Sequence, residues 1–207
     1  KRVLKEIRKD TASGLHMNRL VQGDVGSGKT MVAFMALLMA IDNGFQGCLM
    51  APTEILAQQH FASLQPWCEA LGLRIGLLTG SVKTSARKPL LADLKSGDLH
   101  ILVGTHAVLE DPVEFKALGM AIVDEQHRFG VAQRARLRKK NRIAPHILVM
   151  TATPIPRTLA MSLYGDLDLS VIDELPPGRQ PIQTVHRTDH NRLKVWGFLK
   201  DEIAKGR

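Results

Sequence analysis

The segment Gly23-Asp24-Val25-Gly26-Ser27-Gly28-Lys29-Thr30 has the spacing G-x-x-x-x-G-K-T and follows the apolar pair Leu20-Val21. Glycines let a backbone curl so that successive N–H groups point at phosphate oxygens, and a following helix N-terminus adds favourable partial charge. Lys29 would bring a positive charge to the β- and γ-phosphates, and the Thr30 hydroxyl would bind Mg²⁺. The segment predicts a site for a nucleoside triphosphate; the alternative is a glycine-rich turn that matches by chance.

An almost wholly apolar stretch follows, from Met31 to Ile41, and Asn43-Gly44 ends it as a plausible helix cap. This stretch predicts a buried helix behind the loop, and it is shorter than the roughly twenty residues that a membrane span needs. The first nine residues are charged and amphipathic, unlike a secretory signal. From these features we expect a cytoplasmic location and no membrane partner.

Short apolar runs alternate with helix-like stretches along the chain, which is typical of an α/β protein with a parallel sheet covered by helices on both faces. The expected strands are Leu20-Val21, Gln46 to Met50, Arg74 to Leu78, His100 to Val103, Met120 to Val123 and His146 to Met150. The expected helices are Thr30 to Asn43, Glu54 to Leu71 and Ser85 to Ser96. After Pro176-Pro177-Gly178 we expect a strand from Ile182 to Val185 and a charged helix from Asn191 to Lys205.

Sheets of this kind bind ligands at the carboxyl ends of their strands. Ala121-Ile122-Val123-Asp124-Glu125 places two carboxylates at such an end. Asp124 is suited to hold Mg²⁺ and Glu125 to orient and deprotonate an attacking water, although a solvated acidic pair would have the same sequence. The phosphate-binding loop predicted in the same sheet favours the functional interpretation.

The net charge of +8 over 207 residues indicates a polyanionic partner, but this signal is weak alone. Two basic clusters are candidates for phosphate contact. A solvated surface is an equal alternative for the first cluster and is slightly favoured for the second. The first has six positive charges: Arg134, Arg136, Arg138, Lys139, Lys140 and Arg142; the second comprises Lys83, Arg87 and Lys88. Cys48 and Cys68 lack metal-ligand spacing, so we expect buried, free thiols.

Four longer strings resemble superfamily 2 helicases, and in particular the RecG family of bacterial ATP-dependent DNA helicases, which remodel stalled forks and branched recombination intermediates. They are the segment Gly23 to Thr30, Asp124-Glu125-Gln126-His127-Arg128-Phe129-Gly130-Val131, Thr151-Ala152-Thr153-Pro154-Ile155-Pro156-Arg157-Thr158-Leu159-Ala160 and Asp173-Glu174-Leu175-Pro176-Pro177-Gly178-Arg179. The resemblance covers nearly the whole chain. It implies a RecA-like fold, ATP and Mg²⁺ as cofactors, and branched or forked DNA as the partner.

The resemblance also implies roles for matching residues. Lys29, Thr30, Asp124 and Glu125 keep the roles given above. His127, Thr151 and Thr153 would link the state of the γ-phosphate to contact with DNA. Contacts with the DNA backbone would come from Pro52, Thr53, Gly104, Thr105 and His106. For His106 and His127 a hydrogen-bonded histidine at a strand end is the alternative.

Other classes fit less well. Mfd-type transcription-repair coupling factors usually have Phe where Ser27 stands and Glu where Gln126 stands, and they lack the Pro-Pro-Gly-Arg ending seen from Pro176 to Arg179. A P-loop GTPase or kinase is disfavoured because the chain has no N-K-x-D signature. A non-catalytic nucleic-acid binding module is disfavoured by the intact Lys29, Asp124 and Glu125.

The resemblance predicts a first RecA-like motor domain at residues 1–175, followed at 176–207 by a linker and the start of an incomplete second one. Such motors close two domains on ATP, and the second normally supplies an arginine that stabilises the transition state. That second domain and an upstream wedge domain would be further parts of the same protein. We therefore expect this chain alone to bind ATP weakly, to hydrolyse it poorly and to unwind no DNA.

Overall fold

The computed structural model describes residues 1–124, 136–137, 140, 143–153, 167–174 and 184–206. The chain divides into two compact units, Lys1–Pro176 and Pro177–Arg207. The second unit contains a 3-10 turn, Asp189–Asn191, and helix α5, Arg192–Ala204, which confirms the predicted charged helix. The predicted strand at 182–185 lies half outside the described residues. Thr184 and Val185 adopt no regular structure, so that part of the prediction is wrong.

The described part of the first unit alternates strands with helices, as the apolar runs predict. Its helices are α1 (Arg2–Thr11), α2 (Lys29–Ile41), α3 (Glu54–Ala70), α4 (Thr84–Ser96) and a 3-10 helix, His106–Leu109. Its strands are β1 (Asn18–Gly23), β2 (Gln46–Met50), β3 (Ile75–Leu78), β4 (Ile101–Gly104), β5 (Leu118–Asp124), β6 (His146–Thr151) and β7 (Asp168–Ile172). The expected strands and helices differ from these mainly by one to a few residues at their ends.

The strands form one seven-stranded sheet in the order β3-β4-β2-β5-β6-β1-β7. Every pairing in it is parallel. Its interior strands β2 and β4 are buried at every position, because helices cover both faces of such a sheet. Continuous apolar runs rather than alternating ones were therefore the correct signal for these strands.

Two large apolar cores lie on opposite faces of the sheet, because neighbouring side chains of a strand point to opposite sides. In β2, Leu49 joins one core and Met50 the other. The core that contains Leu49 also holds buried side chains of α1, α2 and α3. The core that contains Met50 holds Leu94 of α4 and the 3-10 helix. The predicted α/β architecture with helices on both faces is confirmed.

Strand β7 was not predicted from the sequence. It pairs with β1 at one end of the sheet, and it carries the buried polar residue Ser170 in its centre. The Ser170 hydroxyl accepts a hydrogen bond of 2.8 Å from Arg19 of β1 and donates one to Glu6 of α1. A polar residue at an inward position breaks the apolar run that marks the other strands, so no strand could be recognised here from the residue pattern.

Among the helices that the structure describes, none is both long enough and apolar enough to cross a membrane.

Candidate nucleotide site

Three neighbouring strands bring the predicted nucleotide-binding residues to one edge of the sheet. Strand β6 lies between β5 and β1, and all three run parallel, so their carboxyl ends share that edge. Asp124 of β5 pairs with Met150 of β6, and Gln22 of β1 pairs with Thr151 of β6. Asp124, Thr151 and the start of the glycine-rich loop therefore lie at the same level of the sheet.

The loop from Gly23 to Thr30 connects β1 to α2 and has the backbone that its glycines predict. Gly26 and Gly28 have φ angles of 79° and 88°, in the left-handed region that favours glycine. Gly28 is also the N-cap of α2, so the first N–H groups of that helix border the loop. The Lys29 ammonium donates hydrogen bonds of 2.8 Å to the carbonyls of Gly23 and Asp24, which places its charge at the loop.

The loop fits a bound triphosphate. A Cβ added at Gly23 would lie 2.6 Å from Ser27 Oγ, so the absence of a side chain there is what allows the loop to fold tightly. Ser27 Oγ is buried, and it has no hydrogen-bond partner within the described residues. A hydroxyl in that condition is suited to a phosphate oxygen. Thr30 lies half-buried in the first turn of α2, where its hydroxyl is available for a magnesium ion.

Asp124 makes a contact that the sequence did not predict. Its Oδ2 lies 2.7 Å from Nε2 of His60, a residue of α3. Both side chains are only 12% exposed. An ionised carboxylate accepts hydrogen bonds but cannot donate them, so Nε2 of His60 is the donor. His60 and Asp124 are 64 residues apart in the chain, and no local spacing signals that pairing.

The structure describes two of the three residues expected to link the state of the γ-phosphate to DNA contact, Thr151 and Thr153. Thr151 is buried at the end of β6, and its hydroxyl accepts a 3.1 Å hydrogen bond from the backbone N–H of Thr153. This bond fixes the turn after β6. The proposed base, Glu125, and His127 lie outside the described residues, so their roles stay predictions.

The residues expected to contact DNA follow strands β2 and β4, which are neighbours in the sheet. Pro52 and Thr53 lie between β2 and α3, and both are half-buried. Thr53 is the N-cap of α3, where its hydroxyl accepts a 3.3 Å hydrogen bond from Leu56 N–H. The structure thus assigns Thr53 a role in helix capping, which the sequence interpretation did not include.

Gly104 is the last residue of β4, and Thr105 and His106 follow it. A Cβ on Gly104 would lie 2.3 Å from the Leu78 carbonyl oxygen, so close packing against β3 explains the glycine without reference to DNA. Thr105 is nearly buried, and its N–H donates to the Leu78 carbonyl at 3.2 Å. His106 begins the 3-10 helix and is exposed. Of these three residues, only His106 has the exposure that contact with a large partner requires.

One described residue of each basic cluster makes intramolecular contacts. Lys140 donates to the carbonyls of Glu110 and Val113, the latter at 3.0 Å, and burial lowers the pKa of its ammonium. Arg87 forms an ion pair with Glu110. Arg136 is exposed. Four members of the first cluster lie outside the described residues: Arg134, Arg138, Lys139 and Arg142.

Both cysteines are free and buried, as predicted. Burial raises the pKa of Cys48 to about 12, so its thiol stays protonated near neutral pH. Within the described ranges, no group of three or more His, Cys, Asp or Glu side chains is arranged to hold a metal ion. This does not conflict with a site built from Thr30, Asp124 and nucleotide phosphates, because Mg²⁺ is usually bound by few protein ligands.

Comparison with known proteins identifies the family to which the chain belongs. The family model for DEAD/DEAH box helicases matches residues 2–162. The chain is 54% identical over 206 residues to the ATP-dependent DNA helicase RecG of Synechocystis sp., in a match that covers 100% of this chain and 25% of that protein. It is 55% identical over 207 residues to the corresponding RecG of Bacillus subtilis, with 100% of this chain and 30% of that protein covered.

A solved structure of RecG bound to a three-way DNA junction is 40% identical, with a TM-score of 0.79. The match covers 99% of this chain and 27% of that one. The chain thus spans between a quarter and a third of the relatives that it matches here. The resemblance to RecG inferred from the motifs is confirmed. The chain belongs to the DEAD/DEAH box helicase family, and over its whole length it is similar to part of the RecG proteins.

Proposed function

We propose that this chain is the ATP-binding first motor domain of a DNA helicase similar to RecG. The observation that carries the proposal is the position of two groups at the ends of the strands that flank β6 in one parallel sheet. The loop that Lys29 contacts follows β1, and Asp124 ends β5. Because the chain spans only a quarter to a third of its relatives, the second motor domain and the wedge domain would be further parts of one longer protein. Residues 1–175 would form the first motor domain, and 176–207 a linker and the start of the second.

ATP would bind with its phosphates in the loop from Gly23 to Thr30, against the backbone N–H groups and the Lys29 ammonium. Thr30 and Asp124 would hold Mg²⁺, which when bound supplies positive charge to the phosphate oxygens. Glu125 would accept a proton from the attacking water, because it directly follows the metal-binding carboxylate. His127, Thr151 and Thr153 would link this chemistry to DNA contact.

DNA would lie along the other half of the same sheet edge, at the ends of β2 and β4. Pro52, Thr53 and His106 would meet the phosphate backbone, whereas Gly104 and Thr105 are buried beside them. Small hydroxyls and backbone amides position a duplex without reading its sequence, so this surface suits a protein that acts on DNA shape. Branched DNA is the preferred substrate that the relative bound to a three-way junction suggests. The cytoplasmic location expected from the sequence stays a prediction.

Two alternatives have less support. An Mfd-like translocase would share the motor, but the two relatives compared above, which are 54% and 55% identical over the matched residues, are RecG proteins. A non-catalytic module would not need a lysine in hydrogen-bond contact with the phosphate-binding loop and a buried carboxylate on a nearby strand.

The test is ATP hydrolysis by the longer protein, measured without DNA, with linear duplex and with a three-way junction. We expect the junction to stimulate turnover most. Glu125→Gln should lose turnover but keep ATP binding, because an amide cannot accept the proton while the loop is unchanged. Glu69→Gln, which makes the same change on the exposed surface of α3, is the matched control. Unchanged turnover in Glu125→Gln would mean that the base is misassigned.

A further inference from the structure

The sheet edge has two halves with different expected partners. The ends of β5, β6 and β1 carry the nucleotide site, and the ends of β4 and β2 carry the proposed DNA contacts. The two halves meet where β2 pairs with β5, with Met50 opposite Val123. Any element that follows β2 and contacts the end of β5 therefore spans both halves.

Helix α3 is such an element. It begins directly after Thr53, a proposed DNA contact, and its residue His60 lies two turns further on, about 10 Å along the axis. Ala57, Leu64 and Cys68 bury one face of α3 in the core. Because His60 is three residues after Ala57 and four before Leu64, it lies on that same face. The packing of α3 thus holds His60 firmly against the sheet.

The His60 hydrogen bond acts on the proposed metal ligand. Nε2 of His60 donates to Oδ2 of Asp124 at 2.7 Å, and both side chains are largely withdrawn from water. A hydrogen bond to a carboxylate in such surroundings is strong and fixes the orientation of the group. Partners that orient metal ligands in this way commonly change metal affinity 10- to 100-fold when they are removed.

We propose that His60 is a positioning residue that holds the Asp124 carboxylate for magnesium, and that α3 thereby links DNA contact at its N-terminus to the nucleotide site. The inference rests on the proposed function, because it takes Asp124 as the metal ligand and the Thr53 region as the DNA contact. A shift of α3 on DNA binding would move His60 and Asp124 together, since the hydrogen bond joins them.

The experiment measures the Mg²⁺ concentration that half-saturates binding of a fluorescent, non-hydrolysable ATP analogue to the longer protein, with and without a three-way junction. His60→Ala should raise that concentration about 10-fold. In the parent protein we expect the junction to change the half-saturating Mg²⁺ concentration. His60→Ala should abolish this change. Gln58→Ala, on the exposed side of the same helix, should behave like the parent.

Two further variants separate positioning from packing. Gln at position 60 keeps an N–H donor at a reach similar to that of His, whereas Asn carries the same amide one methylene shorter. His60→Gln should therefore restore the Mg²⁺ dependence, and His60→Asn should not. Comparison of His60→Gln with His60→Asn distinguishes positioning from packing even if His60→Ala fails to fold. The thermal unfolding of every variant is measured alongside.

Three results would overturn the inference. One is a Mg²⁺ dependence in His60→Ala equal to that of Gln58→Ala; another is an equal loss in His60→Gln and His60→Asn. In either case Lys29→Ala would still abolish nucleotide binding, and the proposed function would stand. If Lys29→Ala bound the analogue as well as the parent did, the proposed function would fall and this inference with it.

Discussion

At the scale of the residue, His146 links the start of β6 to the segment before β1. The backbone N–H of Met17 donates to His146 Nδ1 at 3.0 Å, which requires that this nitrogen carry no proton. Burial lowers the pKa of His146, and the nearby His16 lowers it further, whereas Asp10 raises it. The neutral form is therefore the one that the folded protein prefers.

The pH dependence of stability follows from this shift. Just below the unfolded pKa of about 6.5, the unfolded chain binds the His146 proton and the folded chain does not. The free energy of unfolding should therefore keep the full His146 contribution above that pH and lose it as the pH falls towards the lower folded pKa. Urea unfolding at a series of pH values measures this change.

His146→Gln supplies the control, because its amide does not titrate. The difference in unfolding free energy between the parent chain and this variant should shrink as the pH falls through about 6.5. A difference that stays constant with pH would mean that His146 is not held neutral in the folded state.

Residues whose chemistry depends on local spacing could be predicted from the sequence. The roles of Lys29 and Thr30 can be recognised from the loop in which they occur, and the role of Asp124 from the apolar strand that it ends. His60 could not be predicted, because its partner is 64 residues away and only the order of strands brings the two together. Gly104 was interpreted through DNA contact, but its most direct constraint is the Leu78 carbonyl of the adjacent strand.

At the scale of the element, α3 depends on its cap. The Thr53 hydroxyl accepts the Leu56 N–H at 3.3 Å, which satisfies one of the N–H groups that the first turn leaves unpaired. Thr53→Ala should lower the free energy of unfolding by about 1 kcal/mol, as measured by urea denaturation. Thr53→Ser keeps the hydroxyl and should lower the free energy of unfolding by at most a few tenths of a kcal/mol.

This prediction separates capping from DNA contact. If Thr53 served DNA alone, both variants would unfold like the parent chain and only DNA affinity would change. Equal stability of Thr53→Ala and the parent would contradict the capping role.

Elements with a uniform apolar pattern were predictable, and β7 was not. Strands β2, β4 and β6 present almost unbroken apolar runs because helices cover both of their faces. Strand β7 lies at the end of the sheet and directs Ser170 inward, where Arg19 and Glu6 satisfy the hydroxyl. Three polar side chains from separate elements replace an apolar contact there, and such a network has no period that a sequence reveals.

At the scale of the whole molecule, the order of the strands decides what the edge of the sheet can do. The alternation of strands and helices predicted a parallel α/β sheet, but not the order β3-β4-β2-β5-β6-β1-β7. That order groups the nucleotide residues on one half and the expected DNA contacts on the other. It arises from long-range pairing, such as β1 with β6, which are separated by more than 120 residues in the chain.

The proposed function depends on the binding of ATP by the glycine-rich loop through Lys29. The most direct measurement is titration of a fluorescent ATP analogue into the 207-residue chain with Mg²⁺, beside Lys29→Ala and the exposed control Lys88→Ala. We predict binding that unlabelled ATP competes away, that Lys88→Ala retains and that weakens at least about 10-fold in Lys29→Ala, because a charged hydrogen-bond donor is lost. Equal affinity of the chain and Lys29→Ala, with matching thermal unfolding, would contradict the account.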